Sequence, residues 1–195
     1  MIHEIYPHVL DNQFKIQKPK LDDFCIVYNG RKTLLKKSGN ASGCSIPSVA
    51  DVLLFVGDDL CEFDGHYLLN IDGRAFFLLH VESDFAAPSD YEFVNIRTFR
   101  SMNPVERMGG ATCVHIAHWE TLNKFCGNCG SSTVRSEKER CIVCPECGNM
   151  VYPRISPVVI IAVHDGDRLL MAHNIDNPNP RMFLISGVCG SWRVA

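Results

Sequence analysis

The chain has 195 residues, of which 46% are hydrophobic and 21% charged, with a net charge of −3 and a mean hydropathy of zero. That is the composition of a globular protein, and no run approaches the roughly 18 consecutive apolar residues of a membrane-spanning helix. A pI near 6.2 leaves no global field for nucleic acid or an acidic membrane surface, so partners have to be argued from a local site. The polar start Met1-Ile2-His3-Glu4 lacks a signal peptide's apolar region. An intracellular protein is therefore expected, cytoplasmic in the first instance, with a peroxisomal or mitochondrial address left open.

Strands dominate the first part of the chain. Phe24 to Tyr28, the turn pair Asn29-Gly30 and Thr33 to Leu35 read as a hairpin. Val52 to Val56 and Tyr67 to Ile71 read as further strands, and Asp72-Gly73 turns the second of these into Ala75 to Val81, so an antiparallel meander is expected. Asp58, Asp59, Glu62 and Asp64 lack calcium-loop spacing and read as a solvated turn. A helix is expected after Asn103, which can cap it, with Pro104 in the first-turn position where its missing N–H costs nothing. Its apolar stripe runs through Val105, Met108, Thr112, Ile116, Trp119 and Asn123, and Gly109-Gly110 should weaken or split it. His115 and His118, three apart, could share a metal but have no third ligand nearby in the sequence.

Ten cysteines are many for this length, and in a reducing compartment they do not read as disulfides. Cys25, Cys44, Cys61, Cys113 and Cys189 stand singly and read as small buried hydrophobes. The other five fall between Cys126 and Cys147. Phe125-Cys126-Gly127-Asn128-Cys129-Gly130 and Cys144-Pro145-Glu146-Cys147-Gly148 form two Cys-x2-Cys knuckles. A two-residue gap lets one tight turn present two sulfurs to one tetrahedral zinc ion. Cys141-Ile142-Val143-Cys144 has the same gap, but turn chemistry separates the registers. The residue after the second cysteine of a knuckle commonly needs positive φ, which Gly130 and Gly148 adopt at little cost, whereas Pro145 after Cys144 has a fixed negative φ and no N–H. Cys126, Cys129, Cys144 and Cys147 are therefore the expected structural Zn²⁺ ligands, and Cys141 is spare. Between Cys126 and Arg154 four cationic side chains stand against three glutamates, with Tyr152 as the only aromatic, a poor footprint for RNA or DNA.

Beyond the ribbon, Tyr152-Pro153-Arg154 leads into Pro157 to Val163, whose β-branched run reads as a strand buried on both faces. His164-Asp165-Gly166-Asp167 turns it into Arg168 to Ala172 as a second hairpin. After a looser segment with Pro178 and Pro180, Arg181 to Gly187 reads as a short strand ending at a glycine.

This order of parts resembles the NADH pyrophosphatases, or NAD(+) diphosphatases, of the Nudix hydrolase superfamily, most specifically in the ribbon followed by Tyr-Pro-Arg and the apolar strand. The resemblance implies an α+β fold: a β-rich N-terminal Nudix-like domain over 1–120, a zinc ribbon over 121–154, and over 155–195 the first strands of an incomplete Nudix α/β/α sandwich. It implies hydrolysis of the pyrophosphate of NAD(H), or of a related dinucleotide, to nicotinamide mononucleotide and AMP, and in some members removal of an NAD cap from RNA. Mg²⁺ or Mn²⁺ is expected only in an intact family member, held by the glutamates of the Nudix box, where it offsets phosphate charge and activates water. Tyr152, Glu139 and Arg97 match substrate contacts, and Ser186 matches the residue before the box glycine. If Gly187 is that glycine, the required glutamate falls at Arg193, and Val188 to Ala195 contains no carboxylate. The chain therefore reads as truncated before the box and inactive alone. The alternative class is a non-catalytic zinc-ribbon module for binding or dimerisation. A homodimer stays open, no membrane partner is expected, and nucleic acid is not expected except as NAD-capped RNA.

Overall fold

A computed structural model describes residues 4–37, 43–57, 59–156, 158–173 and 182–188. The chain divides into two units, Met1–Pro153 and Arg154–Ala195. The content is mixed α and β, mostly strands with few helices.

The first unit is built on a sheet of β1 (Leu10–Asp11), β2 (Phe24–Tyr28), β3 (Thr33–Lys37), β4 (Cys44–Ser45), β5 (His66–Ile71), β6 (Arg74–His80) and β7 (Tyr91–Val94). Its order is β1-β5-β6-β2-β3-β4, with β7 also on β3. The two turns read from the sequence form. Asn29 Oδ1 accepts the Lys32 N–H at 2.9 Å beside Gly30 at φ 87°. Asp72 and Gly73 both take positive φ, at 52° and 85°, the primed turn that matches strand twist. The expected antiparallel meander is corrected at its centre, where β2 and β6 run parallel from Phe24↔Phe76 to Tyr28↔His80. Both strands are buried on both faces. Ile26, Tyr28, Phe76 and Leu78 pack in one core cluster, and the alternating Cys25, Val27, Phe77 and Leu79 pack in the other.

Helices cover the two faces. On one lies α1 (Val49–Val56), where a strand was expected over Val52 to Val56. Eight apolar-rich residues fit either period. The ends decide: Ser48 and Asp51 form a capping box, and Gly57 closes the helix in the left-handed conformation at φ 81°. Val49 and Val52 enter the core with Cys25 and Val27. On the other face a 3-10 helix (Ile96–Ser101) leads into α2 (Pro104–Leu122), capped by Asn103 with Pro104 in its first turn as expected.

The glycine pair does not split α2, and its buried face also takes in Gly109, Gly110, Ala111, Cys113, Val114 and Ala117. Small residues carry no periodic signal, yet they let the helix lie close to the sheet. A Cβ built on Gly109 would meet the Phe76 ring at 2.2 Å, and one on Gly110 would meet Phe99 at 2.1 Å. Gly109→Ala gains about 1 kcal/mol of helix propensity but overpacks a fully buried ring at a cost of about 1–3 kcal/mol, so a net loss of up to about 2 kcal/mol is expected. Urea unfolding of the variant checks this, and a stabilised protein would show that Phe76 can give way.

Of the single cysteines, Cys25, Cys44 and Cys113 are buried as expected, whereas Cys61 is exposed, lying in the polar turn after α1. Cys189 and Asp58 fall outside the described residues. Asp59, Glu62 and Asp64 are exposed, in keeping with a solvated turn.

The second unit contains β11 (Val158–Ile161) paired antiparallel with β16 (Ile185–Val188), the hairpin β12 (His164–Asp165) and β13 (Arg168–Leu169), and β14 (Ala172–His173) paired with β15 (Met182–Phe183). The hairpin expected from Pro157 to Val163 into Arg168 to Ala172 is corrected: Val158–Ile161 pairs with Ile185–Val188, and the local hairpin joins only His164–Asp165 to Arg168–Leu169, with Gly166 at φ 56° in its turn. The expectation that β11 is buried on both faces is corrected. Val158, Val159, Ile160 and Ile161 are 62%, 43%, 68% and 52% exposed, because no helix or second layer covers the strand among the described residues. No described helix is long and apolar enough to cross a membrane.

Candidate metal centre and the surface around it

The ribbon continues from α2 as a small sheet of β8 (Val134–Arg135), β9 (Ile142–Val143) and β10 (Met150–Val151), in the order β10-β9-β8. Its two knuckles repeat one another. Cys126 N–H donates to Ser131 O at 2.8 Å and Gly130 N–H to Cys126 O at 2.8 Å; Cys144 N–H donates to Asn149 O at 2.9 Å and Gly148 N–H to Cys144 O at 3.0 Å. Gly130 and Gly148 take φ of 79° and 70°, the conformation that singled out this register.

The four sulfurs of Cys126, Cys129, Cys144 and Cys147 lie within 4.8 Å of one another, with Cys126–Cys147 at 3.6 Å and Cys129–Cys144 at 3.4 Å. A tetrahedron with Zn–S bonds of about 2.3 Å has edges of about 3.8 Å, so the donor set fits zinc. Asn128 N–H points to Cys126 Sγ at 3.4 Å, and the Asn128 and Asn149 side-chain amides reach Cys147 Sγ and Cys126 Sγ, each at 3.6 Å. Backbone N–H groups of Asn128 and Cys129 hold the Cys126 thiol down at about 6, favouring the thiolate a metal needs. Cys141 is buried outside this group, as the turn argument required. Four thiolates close the coordination sphere, which makes the site structural. His115 and His118 join no metal-binding group among the described residues.

Of the substrate contacts implied by resemblance, two are brought together. Tyr152 hydroxyl donates to Glu139 Oε1 at 3.0 Å, and this carboxylate holds the phenol above its ordinary range. Arg97 lies exposed on the 3-10 helix, and no hydrogen bond or ion pair among the described residues joins it to that pair.

A second polar cluster escaped the sequence reading. Glu120, near the end of α2, accepts from His66 Nε2 at 3.0 Å and His80 Nε2 at 2.8 Å, and Arg135 of β8 lies 3.7 Å away. Burial pushes its acidity toward weakness, but the two imidazole hydrogen bonds and the charge of Arg135 outweigh it and hold the carboxyl at about 2. Arg140 anchors the ribbon nearby, donating to the carbonyls of Asn12 (3.0 Å) and Leu68. No local signal marks this cluster, because its members are 66, 80, 120 and 135 in the chain. These residues line a cavity of about 700 Å³ within the first unit.

The fold and the four-thiolate site define a zinc-ribbon protein. Residues 122–152 match the NADH pyrophosphatase zinc ribbon domain. The chain is also 34% identical over 113 residues to a NAD-capped RNA hydrolase NudC of Stutzerimonas stutzeri (strain A1501), a match covering 56% of this chain and 38% of the relative. A protein of the same name from Pseudomonas fluorescens (strain Pf0-1) is 30% identical over 118 residues, covering 60% and 42%. One from Pseudomonas aeruginosa (strain PAO1) is 44% identical over 59 residues, covering 30% and 21%. The chain thus matches the NADH pyrophosphatase zinc ribbon domain over residues 122–152 and is similar over about half its length to proteins named NAD-capped RNA hydrolase NudC. The matches span 21% to 42% of these relatives' own length.

Proposed function

We propose that this chain serves the hydrolysis of the pyrophosphate in NAD(H) or in an NAD cap on RNA, as an N-terminal domain (1–120), a zinc ribbon (121–154) and the opening strands of a Nudix sandwich (155–195). The observation that carries this reading is the ribbon match over 122–152, which ends at Tyr152 with its hydroxyl on Glu139. Zinc would fix both knuckles; Tyr152 follows β10 directly, and Glu139 sits in the bend between β8 and β9, beside Arg140, which donates to the carbonyls of Asn12 and Leu68. In this reading the exposed phenol offers a ring face and the carboxylate an acceptor to a nucleotide, while Arg97 supplies positive charge to a phosphate. Mg²⁺ or Mn²⁺, held by Nudix-box glutamates in an intact member, would supply the charge neutralisation and water activation.

With Gly187 taken as the first glycine of the box, Val188 to Ala195 contains no carboxylate to serve as one of those glutamates. By itself the chain is expected to be inactive. Incubation of the zinc-loaded chain with NADH and Mg²⁺ or Mn²⁺, followed by chromatography for AMP, should show no release above a metal-only blank. Turnover well above that blank would overturn the inactivity reading.

A further inference from the structure

The face of the N-terminal sheet that α1 covers ends in an open edge. β7 pairs only with β3 among the described residues. Along β7, Tyr91 and Phe93 turn to the α1 side and pack against the core there, while Val94 joins the core of the other face. Phe55 of α1, Phe85, Tyr91 and Phe93 form a chain of rings, with centroids 5.2 Å apart for Phe55–Tyr91, 6.1 Å for Phe55–Phe85 and 6.4 Å for Phe85–Phe93. All four are only half-buried, and Leu54 next to Phe55 is 86% exposed. Single apolar side chains on a surface need no explanation, but touching rings at a sheet edge mark a place of contact.

The charge around these rings has one sign. Residues 53–65 and 81–94 hold eight carboxylates and no lysine or arginine. The first segment runs into β5 and the second leaves β6, and the pairing of His66 with Leu78 puts both at the same end of the sheet. Asp59, Glu62, Asp64, Glu82, Asp84 and Glu92 are exposed and make no ion pair among the described residues. The two lysines of β3 beside β7 are engaged, Lys36 with Asp51 at 2.6 Å and Lys37 with the Ser89 carbonyl at 2.8 Å. No group of these carboxylates converges as a metal site among the described residues. What the surface asks for is a partner with spread positive charge and apolar side chains between.

We propose that this face is a docking site for a basic segment of a partner protein, laid along β7 with its apolar side chains on Phe85 and Phe93 and its lysines or arginines among the carboxylates. A strand added to an edge sends alternate side chains to opposite faces, so apolar and cationic residues in alternation match the rings on the α1 side and Glu92 on the other. Lysine or arginine flanking the rings also gains from their π faces. A second copy of the chain set face to face would oppose carboxylates with carboxylates, which is unfavourable. The surface is separate from the zinc site and from Tyr152, and it does not depend on the diphosphatase reading.

Fluorescence anisotropy of labelled peptides with the zinc-loaded 195-residue chain tests the surface. The probes are an amidated peptide of four Lys-Leu repeats and, in parallel, peptides of four Lys-Ser and four Glu-Leu repeats. The Lys-Leu peptide should bind saturably, about tenfold tighter than either of the others, and should weaken as salt is raised from about 50 to about 300 mM. Asp59→Asn, Glu62→Gln, Glu82→Gln and Asp84→Asn combined should weaken it by about tenfold, and Phe85→Ser by a similar factor, with zinc content and circular dichroism unchanged. Asp22→Asn, beside Arg74 at the opposite end of β6, should leave the affinity as it was. Absence of saturable binding would overturn the proposal, as would equal affinity for the Lys-Ser or Glu-Leu peptide, unaltered binding in the fourfold charge variant, or an equal loss in Asp22→Asn. A dimer in sedimentation that Phe85→Ser dissolves would also overturn it, by giving this face to a second copy of the chain.

Discussion

Purified without chelator, the chain should carry about one zinc per molecule, and Cys144→Ser should lower this to below about a tenth, whereas Cys141→Ser should leave it in place. The two cysteines are neighbours in sequence and both are buried, so only the coordination geometry tells them apart. Structural zinc sites in small zinc-finger peptides bind with apparent free energies of about 10–16 kcal/mol, most of which is folding energy. The ribbon strands are two residues long and cannot hold a core of their own. Losing the metal should therefore unfold the ribbon and release the anchors that Arg135 and Arg140 make to the N-terminal sheet and α2. Metal analysis and far-ultraviolet circular dichroism read the two effects. Zinc retained in Cys144→Ser, or lost in Cys141→Ser, would put the ligand register wrong.

Replacing Glu120 should have the next largest effect. Its side chain is only 10% exposed and joins His66, His80 and Arg135, so Glu120→Ala should lower stability by about 2–3 kcal/mol. In a chain of this size that corresponds to a fall in Tm of about 5–10 °C. The pH dependence follows from a carboxyl held at about 2 in the fold against an ordinary 4.5. A depressed pKa stabilises the fold fully above 4.5, and that contribution fades as the pH falls from there toward 2. A shift of this size is worth about 3 kcal/mol, so wild type and Glu120→Gln should differ most above pH 5 and converge near pH 2. Denaturant titrations across that range test the sign. A difference that grew on acidification would overturn this sign.

Legibility in the sequence followed the range over which each signal acts. The zinc knuckles were readable to the residue because Cys-x2-Cys and the positive-φ glycines Gly130 and Gly148 are local chemistry. The caps of α2 at Asn103 and Pro104 were readable for the same reason. Val52 to Val56 reads as a strand because a short apolar run satisfies both periods, and the capping box that makes it helical lies just upstream, at Ser48 and Asp51. The parallel pairing of β2 with β6 and the meeting of His66, His80, Glu120 and Arg135 are set by topology, which no local pattern encodes. The run Val158 to Ile161 has the composition of a doubly buried strand, yet its burial depends on neighbours that composition does not contain. Tyr152 and Glu139 came from resemblance rather than from spacing, and their hydrogen bond is a contact the sequence could not have shown.

The register of β2 with β6 also bears on how the chain is made. β2 leaves the ribosome about fifty residues before its parallel partner, a wait of about 3–10 s at ordinary synthesis rates. Throughout that interval the run Phe24 to Tyr28 has apolar surface on both faces, no β6 along its edge and no α2 above it. Non-local parallel pairing is slow in any case, and an uncovered strand of this kind is a ready template for association with other chains. That exposure falls during translation, before the ribbon has been synthesised and before any zinc can bind.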